Sequence, residues 1–242
     1  MSRRSFAVAT VLSIVALGVP LTGCSNLLAD AHYNNALTKY NEGDYEAALK
    51  FLDNAIAISD ESEYHHNRGI VNSELQNFEE AIKDFDKAIE IDPEDADSYY
   101  NRAWTREKLG DTEGAMSDYN DAIKYDPDSE VAYINRGILK HDQGLFQEAI
   151  EDYNKAIEIN PNDMKAFYNR GYSKFQLDLL EETIADFNQA AQIDPEFGLV
   201  YQNRGITKAL LGDMDGACND WNKAVELGVE IPEERMASIN CQ

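Results

Sequence analysis

Apolar residues recur at helical spacing along most of the chain, in pairs of segments joined by short turns. In segment 147–159 the apolar positions are Ala149, Ile150, Tyr153, Ala156 and Ile157, which form one stripe of an amphipathic helix. A similar segment at about 131–143 precedes it, and Gly144 begins the turn between them. Pro161 stops the second segment, because proline disfavours α conformation in the residue before it. The pattern predicts a helical hairpin.

This hairpin pattern repeats with a period of thirty-four residues. A small residue marks the first helix at Gly69, Ala103, Gly137, Gly171 and Gly205, and a proline follows the second at Pro93, Pro127, Pro161 and Pro195. A divergent first unit keeps Ala36 at the marker position. A fixed period of this length predicts stacked repeats, here six units at 29–61, 62–95, 96–129, 130–163, 164–197 and 198–231. Positions are numbered from the first residue of each unit, so that the marker is position 8.

The unit length and its small and aromatic positions resemble the tetratricopeptide repeat (TPR). Position 24 holds Phe85, Tyr119, Tyr153, Phe187 and Trp221, and position 27 holds Ala88, Ala122, Ala156, Ala190 and Ala224. The resemblance implies an all-α fold, a right-handed superhelical solenoid of TPR-type helical hairpins with a concave groove. Residues 232–242 are predicted to add a C-terminal capping helix that covers the open end, with Pro232 in its first turn.

Position 6 is asparagine in all six units: Asn34, Asn67, Asn101, Asn135, Asn169 and Asn203. On a helical wheel it faces away from positions 4, 8 and 11, which pack inward, and in TPR proteins that outward face lines the groove. An asparagine amide offers a donor and an acceptor side by side, which matches one peptide group of an extended chain. We therefore predict that this row binds a peptide backbone. The alternative is that each asparagine caps or bonds within its own repeat.

Large apolar residues share this face, and we predict that they hold the side chains of a bound segment. They are Tyr100, Trp104, Ile138, Tyr168, Tyr172 and Phe175. The alternative is that these residues only pack between neighbouring first helices.

Arginine at position 7 and aspartate at position 23 occur together in five units and are both missing from the first. The arginines are Arg68, Arg102, Arg136, Arg170 and Arg204, and the aspartates are Asp84, Asp118, Asp152, Asp186 and Asp220. Joint presence and joint loss predict structural, bidentate ion pairs between stacked helices.

The first residues have a different character. Arg3 and Arg4 precede an uncharged apolar run, Phe6–Val19, which is too short for a comfortable membrane span. The run leads to Leu21-Thr22-Gly23-Cys24, which resembles a bacterial lipobox.

The lipobox resemblance implies a lipoprotein signal peptide at 1–23, lipidation of Cys24 and a short extended tether at 24–28. Ser25 follows the cysteine, where an aspartate would favour the inner membrane, so we expect an outer-membrane anchor that faces the periplasm. An ordinary cleaved signal and an uncleaved anchor are the alternatives.

The charge balance of the chain argues against two classes of partner. The chain has 45 acidic and 21 basic residues, a net charge of −24. This balance argues against nucleic acid, because no excess of Lys and Arg can displace counterions from phosphates. It also argues against direct adhesion to an anionic membrane surface. Cys218 and Cys241 could form a disulfide in an oxidising compartment or remain two free cysteines.

Motifs for catalysis, metal binding or phosphate binding are missing from the sequence. His141 beside Asp142 is interpreted as part of a solvated face, and only Lys165 fits the carboxylate clamp of chaperone-binding TPR proteins. We therefore expect neither an enzyme nor a cofactor nor a small-molecule substrate.

The predicted function is a membrane-anchored scaffold or assembly adaptor that binds an extended peptide segment of a protein partner. Lipoproteins of this build serve as assembly factors, such as pilotins of type IV pilus secretins, or as adaptors for envelope enzymes. The alternatives are a structural array that oligomerises by its ends and an accessory subunit of an envelope enzyme.

Overall fold

The computed structural model describes residues 21–238 and Cys241, with side chains described for residues 26–237 and Cys241. The predicted signal sequence up to residue 20 and the side chain of Cys24 lie outside the described residues. The described part contains thirteen helices and no strand. They are α1 (Leu21–Asn41), α2 (Tyr45–Ile58), α3 (Ser62–Glu74), α4 (Phe78–Ile91), α5 (Ala96–Lys108), α6 (Thr112–Tyr125), α7 (Glu130–Asp142), α8 (Phe146–Ile159), α9 (Met164–Gln176), α10 (Leu180–Ile193), α11 (Gly198–Leu210), α12 (Met214–Glu226) and α13 (Glu233–Ser238).

Helices α1 to α12 form six helical hairpins, one for each predicted unit. In unit 4 the turn between α7 and α8 contains Gly144, whose φ of 79° is readily adopted only by glycine. Helix α8 ends at Ile159, and Asn160 before Pro161 has the extended conformation that proline favours. The predicted all-α hairpin solenoid is confirmed.

Glycine at position 8 lets the two helices of a hairpin approach closely. A Cβ atom on Gly137 would lie 2.7 Å from Cε1 of Tyr153, and a Cβ atom on Gly205 would lie 2.4 Å from Nε1 of Trp221. Both separations are shorter than van der Waals contact, so the buried ring at position 24 occupies the space that a side chain would need. This contact explains why small and aromatic positions recur together.

Neighbouring units stack through their helices in two ways. Each second helix packs against the first helix of the next unit, as α8 does against α9. First helices also contact each other, α7 with α9 and α9 with α11. Because the first helices approach one another, the array curves around them, and they form its inner face.

The C-terminal cap is a short helix that begins one residue later than predicted. The carbonyl of Pro232 accepts hydrogen bonds from the backbone N–H groups of Arg235 and Met236, at 2.9 and 3.3 Å. Helix α13 therefore starts at Glu233 and ends at Ser238. Met236 packs in a cluster with Trp221, so the cap covers the end of the last hairpin.

A disulfide joins Cys218 on α12 to Cys241 beyond α13, with Cα atoms 5.3 Å apart. The Cys218→Ser variant is expected to lose about 2–3 kcal/mol of stability in the last unit, because the bond closes a loop in the unfolded chain. Thermal unfolding with and without a thiol reductant checks this. The reductant should destabilise the wild type and leave the variant unchanged, and an equal effect on both would contradict the prediction.

Residues 24–28, which the sequence predicts as a short tether, lie within helix α1. The helix continues into the first unit and ends at Asn41, just before Gly43, whose φ of 78° belongs to the turn. A helix rises about 1.5 Å per residue, so this segment reaches less than half as far as an extended chain. Among the described residues, no helix has both the length and the apolar character that crossing a membrane requires.

Candidate binding groove

The inner face of the array carries three cavities in a row, all lined by first helices. The first lies at units 1 to 3 and measures about 420 Å³. The second lies at units 3 to 5 and measures about 320 Å³, and the third lies at units 4 to 6 and measures about 480 Å³. Positions 2, 5 and 6 contribute to each of them. We call this row of cavities the groove.

The third cavity has aromatic walls, and we call it the aromatic cavity. Its lining includes Ile138, His141, Tyr168, Asn169, Tyr172 and Leu199. The rings of His141 and Tyr172 stack with centroids 5.0 Å apart, and the rings of Tyr172 and Tyr168 are parallel at 6.5 Å. Tyr172 remains 39% exposed, so part of its surface is free to contact a ligand.

His141 does not lie on a solvated face, and that interpretation of the sequence was wrong. Its side chain is half-buried, and Nδ1 lies 2.8 Å from Oγ of Ser173 in the next unit. Burial lowers the pKa of His141, while the nearby carboxylate of Asp142 opposes that shift. A neutral imidazole therefore forms part of the cavity wall at neutral pH.

The asparagine row is not six equivalent sites. Three amides donate to a tyrosine hydroxyl at position 5 of the preceding unit: Asn67 to Tyr33 at 3.0 Å, Asn135 to Tyr100 at 3.0 Å and Asn203 to Tyr168 at 2.9 Å. Asn67 also donates to the carbonyl of Glu63 in its own repeat, at 2.7 Å. The side-chain amides of Asn34, Asn101 and Asn169 make no hydrogen bond to other described residues.

The alternation follows from position 5, which is tyrosine only in units 1, 3 and 5. Every second asparagine is therefore held by its neighbour, which occupies one N–H of Asn135 and of Asn203, while Asn67 donates two hydrogen bonds. Asn34, Asn101 and Asn169 keep the complete donor and acceptor pair that a peptide group needs.

The apolar groove residues take different positions. Ile138, Tyr168 and Tyr172 line the aromatic cavity, and Tyr100 lines the middle one. Trp104 is 37% exposed and lines none of the three cavities; Nζ of Lys108 lies 4.8 Å from its ring centroid. Phe175 is half-buried and also lies outside the three cavities. The sequence pattern alone could not separate these two residues from the others.

Each arginine at position 7 makes a bidentate ion pair with the aspartate at position 23 of its own unit. In unit 4, Nε and Nη2 of Arg136 lie 2.9 and 2.6 Å from the carboxylate of Asp152. The remaining nitrogen, Nη1, lies 2.7 Å from Oδ1 of Asn120 in the preceding unit. The arginine therefore connects the two helices of its hairpin and also links that hairpin to its neighbour.

Sequence reasoning missed a second cation at position 11. Lys140 lies 2.9 Å from the buried carboxylate of Asp152, and Arg106, Lys174 and Lys208 occupy the same place in units 3, 5 and 6. Position 11 faces inward as predicted but carries a charge. Unit 2 has Asn72 there, and Nδ1 of His65 lies 3.8 Å from the carboxylate of its aspartate, Asp84. Asp84 and Asp60 raise the pKa of His65, while burial opposes that shift.

Comparison with known families and structures shows the same repeat. The description "tetratricopeptide repeat" matches residues 29–61, 96–129, 131–163 and 165–197, and "TPR repeat" matches residues 73–110. No curated protein matches the chain.

Several solved structures share the fold. The chain superposes on pilF of Pseudomonas aeruginosa with a TM-score of 0.72 at 16% identity, covering 81% of this chain and 90% of that one. A TPR protein of Parabacteroides merdae gives a TM-score of 0.70 at 20% identity, covering 85% and 81%. YrrB, described as a TPR protein with an unusual peptide-binding site, gives 0.65 at 21% identity, covering 73% and 91%. The repeat matches span well over half of the sequence, and the chain therefore belongs to the tetratricopeptide repeat family.

Proposed function

We propose that this protein is a scaffold that holds an extended segment of a protein partner in the groove. TPR repeats typically form protein-interaction scaffolds without catalytic activity. The observation that carries the proposal is the row of three cavities at equivalent positions of successive first helices. A linear peptide can contact all three in one orientation, whereas a compact ligand could occupy only one.

The chemistry of the groove supports an extended peptide. Asn169 lines the aromatic cavity, and Asn101 holds the equivalent position two units away on α5, outside the cavity linings; the amide of each can accept from and donate to a backbone. The aromatic cavity, which Asn169 lines, offers an apolar wall for a side chain of the bound segment. YrrB provides a precedent for peptide binding within the same fold.

Replacing both Asn101 and Asn169 by alanine is expected to weaken partner binding without lowering stability, because neither amide bonds to any other residue that the structure describes. The matched control is Asn135→Ala with Asn203→Ala, which removes the hydrogen bonds to Tyr100 and Tyr168. Unlike the first variant, it should lower the stability of the protein.

The measurement is photo-crosslinking in cells, with the reactive residue at Tyr172 in the groove or at Glu151 on the second helix α8. The same partner segment should crosslink from Tyr172 and not from Glu151, and the signal should fall in the Asn101→Ala, Asn169→Ala variant. Equal crosslinking from both sites, or an unchanged signal in that variant, would contradict groove binding.

We further propose that Cys24 carries the lipid that keeps the scaffold at the outer membrane, facing the periplasm. The lipobox-like Leu21-Thr22-Gly23-Cys24 supports this, and the net charge of −24 leaves the protein no electrostatic attraction of its own to anionic lipid. The Cys24→Ala variant is expected to leave the membrane fraction and to lose incorporation of radiolabelled palmitate. A variant that stays in the membrane fraction would show that another anchor is present.

A further inference from the structure

We infer that the segment held in the groove is basic toward units 1 to 3 and carries an aromatic or large aliphatic side chain toward units 4 to 6. This inference rests on the proposed function and adds the chemistry of the partner. It follows from the different surfaces that the two ends of the groove present.

The aromatic cavity determines the apolar end of the ligand. Its volume of about 480 Å³ accommodates one large side chain, and its walls include the exposed face of Tyr172, together with Ile138 and Leu199. Aromatic rings prefer offset-stacked or edge-to-face contacts, which the parallel rings of Tyr168 and Tyr172 can provide. The unoccupied amide of Asn169 at the same cavity can hold the backbone beside the inserted side chain.

The opposite end of the groove is acidic. Position 2 changes along the array: it is Asp30, Glu63 and Asp97 in units 1 to 3 and Val131, Lys165 and Leu199 in units 4 to 6. Glu63 and Asp97 are exposed and line the first cavity together with Asp92 and Asp95, and no lysine or arginine lines that cavity. His66 lines it too, but burial lowers its pKa, so it is largely neutral at neutral pH.

These groove acids differ from the aspartates of the core. Asp118 and Asp152 each bond two cations of their own hairpin, which neutralise them. In the described part of the chain, no basic side chain lies within ion-pair distance of Glu63 or Asp97. Their charge is therefore available to a ligand, and it attracts lysine or arginine.

Charge also argues against a second copy of this chain as the occupant. The net charge of −24 makes two copies repel each other. A segment with basic residues and one aromatic side chain complements both the acidic end and the aromatic end of the groove.

The test is selection from a displayed library of random linear peptides against the full chain purified in detergent. Peptides that combine a lysine or arginine cluster with one tryptophan, tyrosine or phenylalanine should be enriched. A synthetic peptide of this kind should bind about tenfold more weakly to the Tyr172→Ala variant, as expected for loss of an aromatic anchor. Binding should also weaken several-fold to the Glu63→Gln, Asp97→Asn variant and in higher salt.

The matched control is Glu79→Gln with Glu151→Gln, which removes two exposed acids from second helices and should leave binding unchanged. Peptides that bind and depend on Tyr172 but show no basic preference would overturn this inference and leave groove binding intact. Selected peptides that are indifferent to Tyr172→Ala, or a library that yields no binder, would overturn the proposed function as well.

Discussion

Replacing Phe187 by alanine is expected to lower the free energy of unfolding by about 3–5 kcal/mol, because a fully buried ring is lost and leaves a cavity. Phe187 is the position-24 ring of unit 5, and it packs in one cluster with Ala190 and Val200. A Cβ on Gly171 would lie 3.0 Å from Cε1 of this ring, so the ring fills the space above the glycine. Urea unfolding followed by circular dichroism measures the loss.

The neighbouring glycine provides a matched control. Gly171→Ala alone should cost far less than Phe187→Ala, because the added methyl group presses on the ring but alanine also favours the helix over glycine by about 1 kcal/mol. Two units already carry alanine at position 8: Ala36 lies with Leu52 in unit 1, and Ala103 lies with Tyr119 in unit 3, all of them buried. The double variant Gly171→Ala, Phe187→Leu should therefore lose less stability than the sum of its single changes. Strict additivity would show that the two positions do not form one packing unit.

The second large loss of stability is expected when both cations that bond one buried aspartate are replaced. The Arg136→Ala, Lys140→Ala variant is expected to lose about 3–5 kcal/mol, because Asp152 keeps a buried charge without a cation beside it. The side chain of Asp152 is only 5% exposed, so its charge is largely shielded from water. Arg136→Ala alone should cost less, since Lys140 still lies 2.9 Å from the carboxylate.

Asp152→Asn added to that double variant separates the charge effect from lost packing. The neutral amide removes the uncompensated charge, so part of the stability should return. Hydrogen exchange of amides in α7 and α8 locates the change, and thermal unfolding measures its size. If the double variant unfolds at the wild-type temperature, the pair does not contribute to stability as the geometry indicates.

The sequence predicts some residues of the groove and does not predict others. The position-6 asparagines and Tyr172 were assigned to one outward face from helical spacing, and several of them line the cavities. The role of His141 was missed, because its neighbour Ser173 belongs to the next unit and comes close only when the units stack. Helical spacing places position 11 in the interior but does not show that the Lys140 side chain there reaches the carboxylate of Asp152 on the partner helix.

The sequence by itself determined the number of hairpins, their boundaries and the recurring core contact. These properties depend on period, helical spacing and the pairing of a small residue with a ring, all of which repeat within a single unit. Only the tertiary structure decided which asparagines remain free and where the groove changes from acidic to aromatic along its surface. Those features arise where the side chains of neighbouring units meet, so they depend on how the units stack, and the spacing within one unit contains no information about that.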